Sequence, residues 1–175
     1  MDALSLRRLD PEHARPAFDC GDSDLNEFFR TDSIASGKEL VAVTYTLEQN
    51  AETIGFISVS NDSLKEEYLT KSRWKKILKG IPRAKRYRSM PAVKIGRLAI
   101  SENSAGVGIG TALLDFVKVW FTEGNKTGCR FIIVDAYNKE RTISFYQKNG
   151  FDFLITDDGT DETRLMYFDL LTFRE

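Results

Sequence analysis

The chain has 175 residues, 42% hydrophobic, 29% charged and 11% aromatic, a composition that buries roughly 70% of its unfolded surface as a single domain and excludes intrinsic disorder. No stretch approaches the run of about 20 apolar residues that a bilayer requires, and the opening MDALSLRRLDPEHARP carries charges where a secretory signal needs an apolar segment, so a cytoplasmic location is expected. Two cysteines, Cys20 and Cys129, and one histidine, His13, are too few for a four-ligand zinc centre, and a disulfide is not expected in a reducing compartment. The net charge of -1 conceals a segregation: the segment from Tyr68 to Ser101 holds eleven Lys or Arg, from Lys71 to Arg97, and no acid. Such a block attracts polyanions, or forms a solvated face balanced by acids nearby in space.

In chain order, the loose alternation Leu4 to Leu9 predicts a first strand, stopped by Asp10-Pro11. Asp22 or Ser23 is the expected cap of a helix in which Leu25, Phe28 and Phe29 recur at helical spacing, running to about Ser36. The β-branched and aromatic stretches Val41 to Leu47 and Thr53 to Ser60, joined by a polar loop from Glu48 to Glu52, predict an antiparallel hairpin. Leu64 to Tyr68 reads as a short helix. Trp74, Ile77 and Leu78 sit at i, i+3 and i+4, the spacing of a helix tucked onto a core, or of an aromatic surface for nucleic acid, ending near Gly80-Ile81-Pro82.

Val93 to Ile100 predicts a strand that leads into a glycine-rich loop. After the loop, Leu113, Phe116, Val117, Trp120 and Phe121 form a wide apolar stripe on a long helix. Phe131 to Val134 suits a strand buried on both faces. A second helix is expected from Arg141 to Asn149, closed by Gly150, then strands at Phe151 to Ile155 and Leu165 to Leu170. The chain shows no internal repeat, low-complexity segment or interdomain linker.

Gly106-Val107-Gly108-Ile109-Gly110-Thr111 joins a strand to a helix start, where unbonded N–H groups and the positive end of a helix dipole converge, a fit for an anion. Glycine runs also make ordinary turns and tight helix–strand packing. A P-loop is excluded, because no lysine followed by Ser or Thr comes after the last glycine. A dinucleotide fingerprint is excluded too, because Thr111 stands where its third glycine belongs and the loop follows an antiparallel hairpin past the middle of the chain.

With that context the chain resembles the GNAT family of acyl-CoA N-acyltransferases, and the resemblance implies coenzyme A as the phosphate carrier. The family's Gln/Arg-x-x-Gly-x-Gly/Ala loop is matched by Ala105-Gly106-Val107-Gly108-Ile109-Gly110 except at Ala105, which puts one side-chain contact to the phosphates in question. The order of hairpin, strand Ile95 to Ile100, loop, helix with Leu113-Leu114, strand Ile132 to Ala136 and Phe145-Tyr146-Gln147-Lys148-Asn149-Gly150-Phe151 is similar to the family core across most of the chain. The resemblance implies a single GNAT domain over residues 1–175. Its fold is a mixed, mostly antiparallel α/β sheet of six or seven strands, splayed between the fourth and fifth, with helices on both faces.

It further implies acetyl-CoA as donor, with no metal. Acetyl transfer from a thioester needs a neutral amine on the carbonyl carbon, donors for the developing oxyanion and a proton for the departing thiolate. By resemblance, the main chain of Leu98, Ala99 and Ile100 binds the pantetheine arm. The amides from Ala105 to Thr111 hold the pyrophosphate, and Tyr146 protonates the sulfur. The other reading of Tyr146 is a ring packed in the core with its hydroxyl on backbone. Asn138 stands where many members place an asparagine against the cofactor, one position earlier than the commonest spacing. The general base is left open between Asp135 and an ordered water, and His13, outside every motif, reads as a surface residue.

Phe18-Asp19-Cys20-Gly21 followed by Leu25-Asn26-Glu27-Phe28-Phe29 resembles a subgroup that includes toxins of toxin–antitoxin pairs, which acetylate the aminoacyl group of charged tRNA. The basic block would meet such a substrate's phosphates. Small-molecule and protein amines are the other acceptors the fold admits, and a non-catalytic acyl-CoA-binding module is the other class. Expected partners are the amine acceptor, a ribbon–helix–helix antitoxin and a second copy of the chain.

Overall fold

Strands form where β-branched and aromatic residues cluster, and each expected one is present in the computed structural model, which describes residues 4–83 and 87–173. Lys85 and Arg86 of the basic block lie outside the described residues. Strands β1 (Ser5–Arg8), β2 (Val43–Gln49), β3 (Glu52–Lys65), β4 (Ser89–Ile100), β5 (Phe131–Tyr137), β6 (Asp152–Phe153) and β7 (Thr163–Asp169) form one seven-stranded sheet in the order β1-β2-β3-β4-β5-β7-β6. It is mostly antiparallel, with β4 and β5 parallel, so the mixed α/β class is as expected. The helices are α1 (Ser23–Glu27), α2 (Ser33–Lys38), α3 (Lys71–Leu78), α4 (Ile109–Val119) and α5 (Glu140–Lys148). None of the described helices is long and apolar enough to cross a membrane.

The chain divides into two compact units, one comprising the residues up to Ser60 with Ile95–Val117, the other Asn61–Lys94 with Lys118 onward. In the first, Asp22 caps α1 by accepting from the N–H groups of Asp24 (3.0 Å) and Leu25 (3.1 Å). A π-type turn, Phe28–Asp32, joins α1 to α2, with the Ser33 hydroxyl donating to the Phe29 carbonyl at 2.7 Å. Phe29 is thereby turned inward, where it stacks 4.8 Å from Phe56, with Phe18 at 5.2 Å from Phe29 and 5.3 Å from Phe56. Leu9 and Ala99 complete this core. The β2–β3 hairpin is tighter than the five-residue loop expected: Gln49 already pairs with Glu52, leaving Asn50 and Ala51 at φ 51° and 64°, the two left-handed positions whose twist matches the flanking strands.

In the second unit, Leu64, Trp74, Met90, Ala92, Phe131, Ile133 and Leu154 are buried together, and Ile77 and Leu78 of α3 pack against them. The aromatic face of α3 is therefore core. The short helix expected from Leu64 is corrected: Leu64 is buried at the end of β3, and only Glu66–Tyr68 makes a single 3₁₀ turn. Arg130 holds Asp169 through two hydrogen bonds (3.0 and 3.1 Å) and donates to the Ile77 carbonyl at 3.0 Å, closing the last turn of α3. The strand expected from Phe151 to Ile155 shrinks to Asp152–Phe153: the Phe151 N–H is taken by the Tyr146 carbonyl at the end of α5 (3.0 Å), while Leu154 adds one further bond to the Leu165 carbonyl of β7 (2.8 Å).

Phe56 is fully buried among three other aromatic rings. Phe56→Ala is expected to lower unfolding free energy by about 3–5 kcal/mol, read as a lower midpoint in urea titration with the slope unchanged.

Candidate active site

The glycine loop of the first unit is built by hydrogen bonds that end β4 and start α4. The N–H of Ser101 donates to the Ile54 carbonyl at 2.9 Å, that of Ser104 to Ser101 at 3.0 Å, and that of Ala105 to Glu102 at 3.3 Å, rounding the turn Glu102–Ser104. Gly106 and Gly108 then take φ 82° and 88°, values that L side chains adopt only under strain. A Cβ at either would meet nothing within 4 Å, so the glycines answer a backbone requirement and leave their outer side clear. The N–H of Ala112 donates to the Gly108 carbonyl at 3.0 Å, the first bond of α4, and the N–H groups of Ile109, Gly110 and Thr111 therefore precede any intrahelical acceptor.

Leu113, Leu114 and Val117 anchor α4 by complete burial. This corrects the stripe read from the sequence, since Phe116 is 46% exposed and the buried line is centred on Leu113-Leu114 and Val117-Lys118. Val107, at 76% exposure, tips the loop into solvent. These features fit a pyrophosphate: a positive helix end, clustered free amides and a cradle without Cβ atoms. Ala105 is exposed, in extended conformation, with no side-chain donor to add.

Leu98, Ala99 and Ile100 are the last residues of β4 before this loop, Ala99 buried and its neighbours half-buried. Gly55 on β3 lets the strands approach there. A Cβ on it would stand 2.8 Å from the Ile100 side chain and 3.0 Å from the Ala99 carbonyl.

Tyr146 belongs to the second unit. It lies on α5, is 6% exposed, and packs edge-on between Phe145 (5.2 Å) and Phe151 (5.3 Å). Burial pushes its phenol well above the ordinary value, because the charged phenolate is disfavoured away from water, so the hydroxyl keeps its proton through the neutral range. Among the described residues none shares a hydrogen bond with that hydroxyl. The helix end behind it is firmly closed: Asn149 donates its N–H to the carbonyls of Phe145 and Tyr146 (3.2 and 3.1 Å) and its side-chain amide to Phe145 at 2.8 Å.

Lys118 was not legible as a site feature, being one cation inside an apolar run. It is only 5% exposed, donates to the Asn149 carbonyl at 3.0 Å, and lies 4.7 Å over the Phe168 ring.

Asn138 donates its side-chain amide to the carbonyls of Gly159 (3.0 Å) and Asp161 (2.9 Å), tying β5 to the segment after Thr156 and leaving one carbonyl oxygen for a ligand. That segment is held by Asp158, buried, which accepts from Arg164 (2.7 Å) and from the Leu165 N–H (2.8 Å). Asp135 pairs closely with Lys94. His13 is exposed and pairs with Asp10 at 3.1 Å, as a surface residue should. Cys20 and Cys129 are free thiols, and burial pushes that of Cys129 up to about 11. Among the described residues no group of three or more His, Cys, Asp or Glu could hold a metal ion.

A strand ending at a left-handed glycine turn and a helix opening on free amides make a site suited to a phosphate group. The family model described as "Acetyltransferase (GNAT) domain" matches residues 41–152, and the chain belongs to this family. It is an acetyltransferase that uses acetyl-CoA as donor. Its fold is similar to that of a tyrosine-to-phenylalanine mutant of KacT (TM-score 0.78, 22% identity, covering 98% of this chain and 97% of that one). It is likewise similar to AtaT complexed with acetyl-methionyl-tRNAfMet (0.78, 24%, 98% and 98%) and to AtaTR bound with AcCoA (0.76, 25%, 99% and 98%).

Gly108→Val is expected to raise the Kd for coenzyme A at least about tenfold while leaving the melting temperature within a few degrees, since the new side chain strains the loop but meets no neighbour. Isothermal titration calorimetry checks it.

Proposed function

We propose that the chain N-acetylates the amino group of an aminoacyl-tRNA, as a toxin-type member of its family. In this reading residues 1–175 work as one domain in the cytoplasm, and a ribbon–helix–helix antitoxin is the protein partner. The observation that carries the acceptor is the outer face of α3. Of the basic block, Arg73 is engaged with the Tyr167 hydroxyl (2.8 Å), Arg88 with Glu66 (2.7 Å) and Lys94 with Asp135. Lys71, Lys75 and Lys76 on α3 and Lys79 just beyond it are exposed while Trp74 is buried, and no acid among the described residues pairs with them.

Lys71 and Lys75 stand one helical turn apart, about 6 Å along the axis, a row of free ammonium groups suited to a phosphate backbone. The similarity to AtaT complexed with an acetylated initiator tRNA, and to AtaT bound to the C-terminus of its antitoxin AtaR, supports the same reading.

The chemistry is direct transfer. The neutral α-amine attacks the thioester carbonyl, the C–N bond forms and the C–S bond breaks, the thiolate takes a proton from the Tyr146 hydroxyl, and the proton released by the nitrogen to solvent is balanced by one that solvent returns to the phenolate. Main-chain groups of Leu98, Ala99 and Ile100 orient the pantetheine arm, and the amides from Gly106 to Thr111 hold the pyrophosphate, that of Ala105 being bonded to the Glu102 carbonyl. Asn138 offers its remaining carbonyl to the cofactor. Burial keeps the Tyr146 hydroxyl protonated at every pH at which the amine is neutral, so the proton is there to be given. A tyrosine is the residue replaced by phenylalanine in the KacT and AtaT mutant structures to which the chain is similar.

Purified aminoacyl-tRNA incubated with labelled acetyl-CoA should carry label on the amino acid, and absence of label across a panel of charged tRNAs would end the acceptor assignment. Tyr146→Phe should lower kcat about 10²–10³-fold with the KM for acetyl-CoA nearly unchanged. Replacing Lys71, Lys75 and Lys76 by Gln should reduce the slope of log binding constant against log salt by about 0.7–0.9 per lysine that meets a phosphate, with the KM for acetyl-CoA unaltered.

A further inference from the structure

The segment Phe18-Asp19-Cys20-Gly21 and Asn26 are outside the chemistry described so far, yet they form a closed hydrogen-bonded knot. One Asp19 carboxylate oxygen accepts from the Gly21 N–H (2.9 Å) and from the Asn26 amide (2.7 Å), while the Asn26 carbonyl oxygen accepts from the Cys20 N–H (3.0 Å) and thiol (3.2 Å). Phe18 plugs the same turn into the Phe29–Phe56 core. The knot lies directly on the turn that precedes the glycine loop: the Asp19 main-chain carbonyl accepts from the Glu102 N–H at 3.1 Å. Gly21, at φ 76°, approaches the Glu102 side chain so closely that a Cβ there would overlap its carboxylate and come within 2.9 Å of Cδ. Glu102 in turn accepts from the Ala105 N–H, the residue before Gly106.

We propose that this N-terminal knot is a brace for the coenzyme loop, with Asp19, Gly21 and Asn26 as positioning residues that set the affinity for coenzyme A without touching it. The inference rests on residues 106 to 111 being the pyrophosphate loop. Left-handed glycines make that loop soft, and an anion held by several amides needs them convergent before it arrives. The brace supplies convergence from one end, as the buried face of α4 does from the other. It is local to the first unit and independent of the acceptor. Ionised Asp19 suits the role: the Gly21 N–H, then the Asn26 amide, hold its carboxyl below the usual range.

Titration calorimetry with coenzyme A and steady-state kinetics on four variants test the brace. Asn26→Ala, which removes the knot without straining the backbone, should raise the Kd and the KM for acetyl-CoA about five- to tenfold, with kcat at saturating donor changed less than about twofold. Gly21→Ala should do the same. Adding Glu102→Ala to Gly21→Ala should recover part of the loss, because the three atoms nearest the new methyl group all belong to the Glu102 side chain beyond its Cβ. A general loss of packing would not be rescued in this way.

Gly108→Val is the reference for the loop itself. If Asn26→Ala binds within about twofold of the native chain while Gly108→Val is weakened, the brace is overturned. Should Gly21→Ala fail to fold, Asn26→Ala decides alone. If Gly108→Val also binds normally, the loop reading fails and takes the brace with it.

Discussion

The site depends on a backbone that turns left-handed twice within three residues. Gly106 and Gly108 have positive φ, and between them and the first bonded amide of α4 the chain presents donors that no residue of its own helix can accept from. Such a loop has little conformational preference of its own. Its shape is imposed from outside, by the ladder that ends β4, by the turn Glu102–Ser104, and by the burial of Leu113, Leu114 and Val117. The amides offered to an anion are thus a property of the boundary between two regular elements, and Ala105 adds no side-chain donor to them.

The second unit applies a different principle. Dehydration around Tyr146 makes its phenolate costlier still: aromatic neighbours on both sides remove water and raise the pKa of a phenol that is already neutral at neutral pH. The polar interactions nearby are directed elsewhere. Asn149 and the buried ammonium of Lys118 satisfy the carbonyls at the end of α5, which fixes the helix that carries the tyrosine. A lysine in an apolar run is tolerated because it has a carbonyl to donate to and an aromatic face to rest on.

Charge was the feature most altered by folding. A block of eleven bases resolves into residues with different tasks: Arg73 pins α3 to Tyr167, Arg88 and Lys94 pair with acids, and Arg97 stacks on Phe28. Among the described residues, Lys71, Lys75, Lys76, Lys79 and Arg83 are exposed without an acidic partner. Linear sequence counts charge, whereas only three-dimensional proximity shows which charges are already neutralised.

The sequence alone determined the element order, the glycine loop and the tyrosine that follows it, because helical and strand periodicities are local and because positive φ and a missing Cβ leave a compositional trace. It also marked Phe18-Asp19-Cys20-Gly21 as distinctive, without a reason. The tertiary structure decided which face of α4 is buried, why Leu64 is strand rather than helix, how short β6 is, and that Lys118 and Asn149 close α5. It also decided that the Asp19–Gly21 turn rests on Glu102. Each of these depends on contacts between residues far apart in the chain, where burial and hydrogen-bond satisfaction outweigh local preference, and no window of sequence contains both partners.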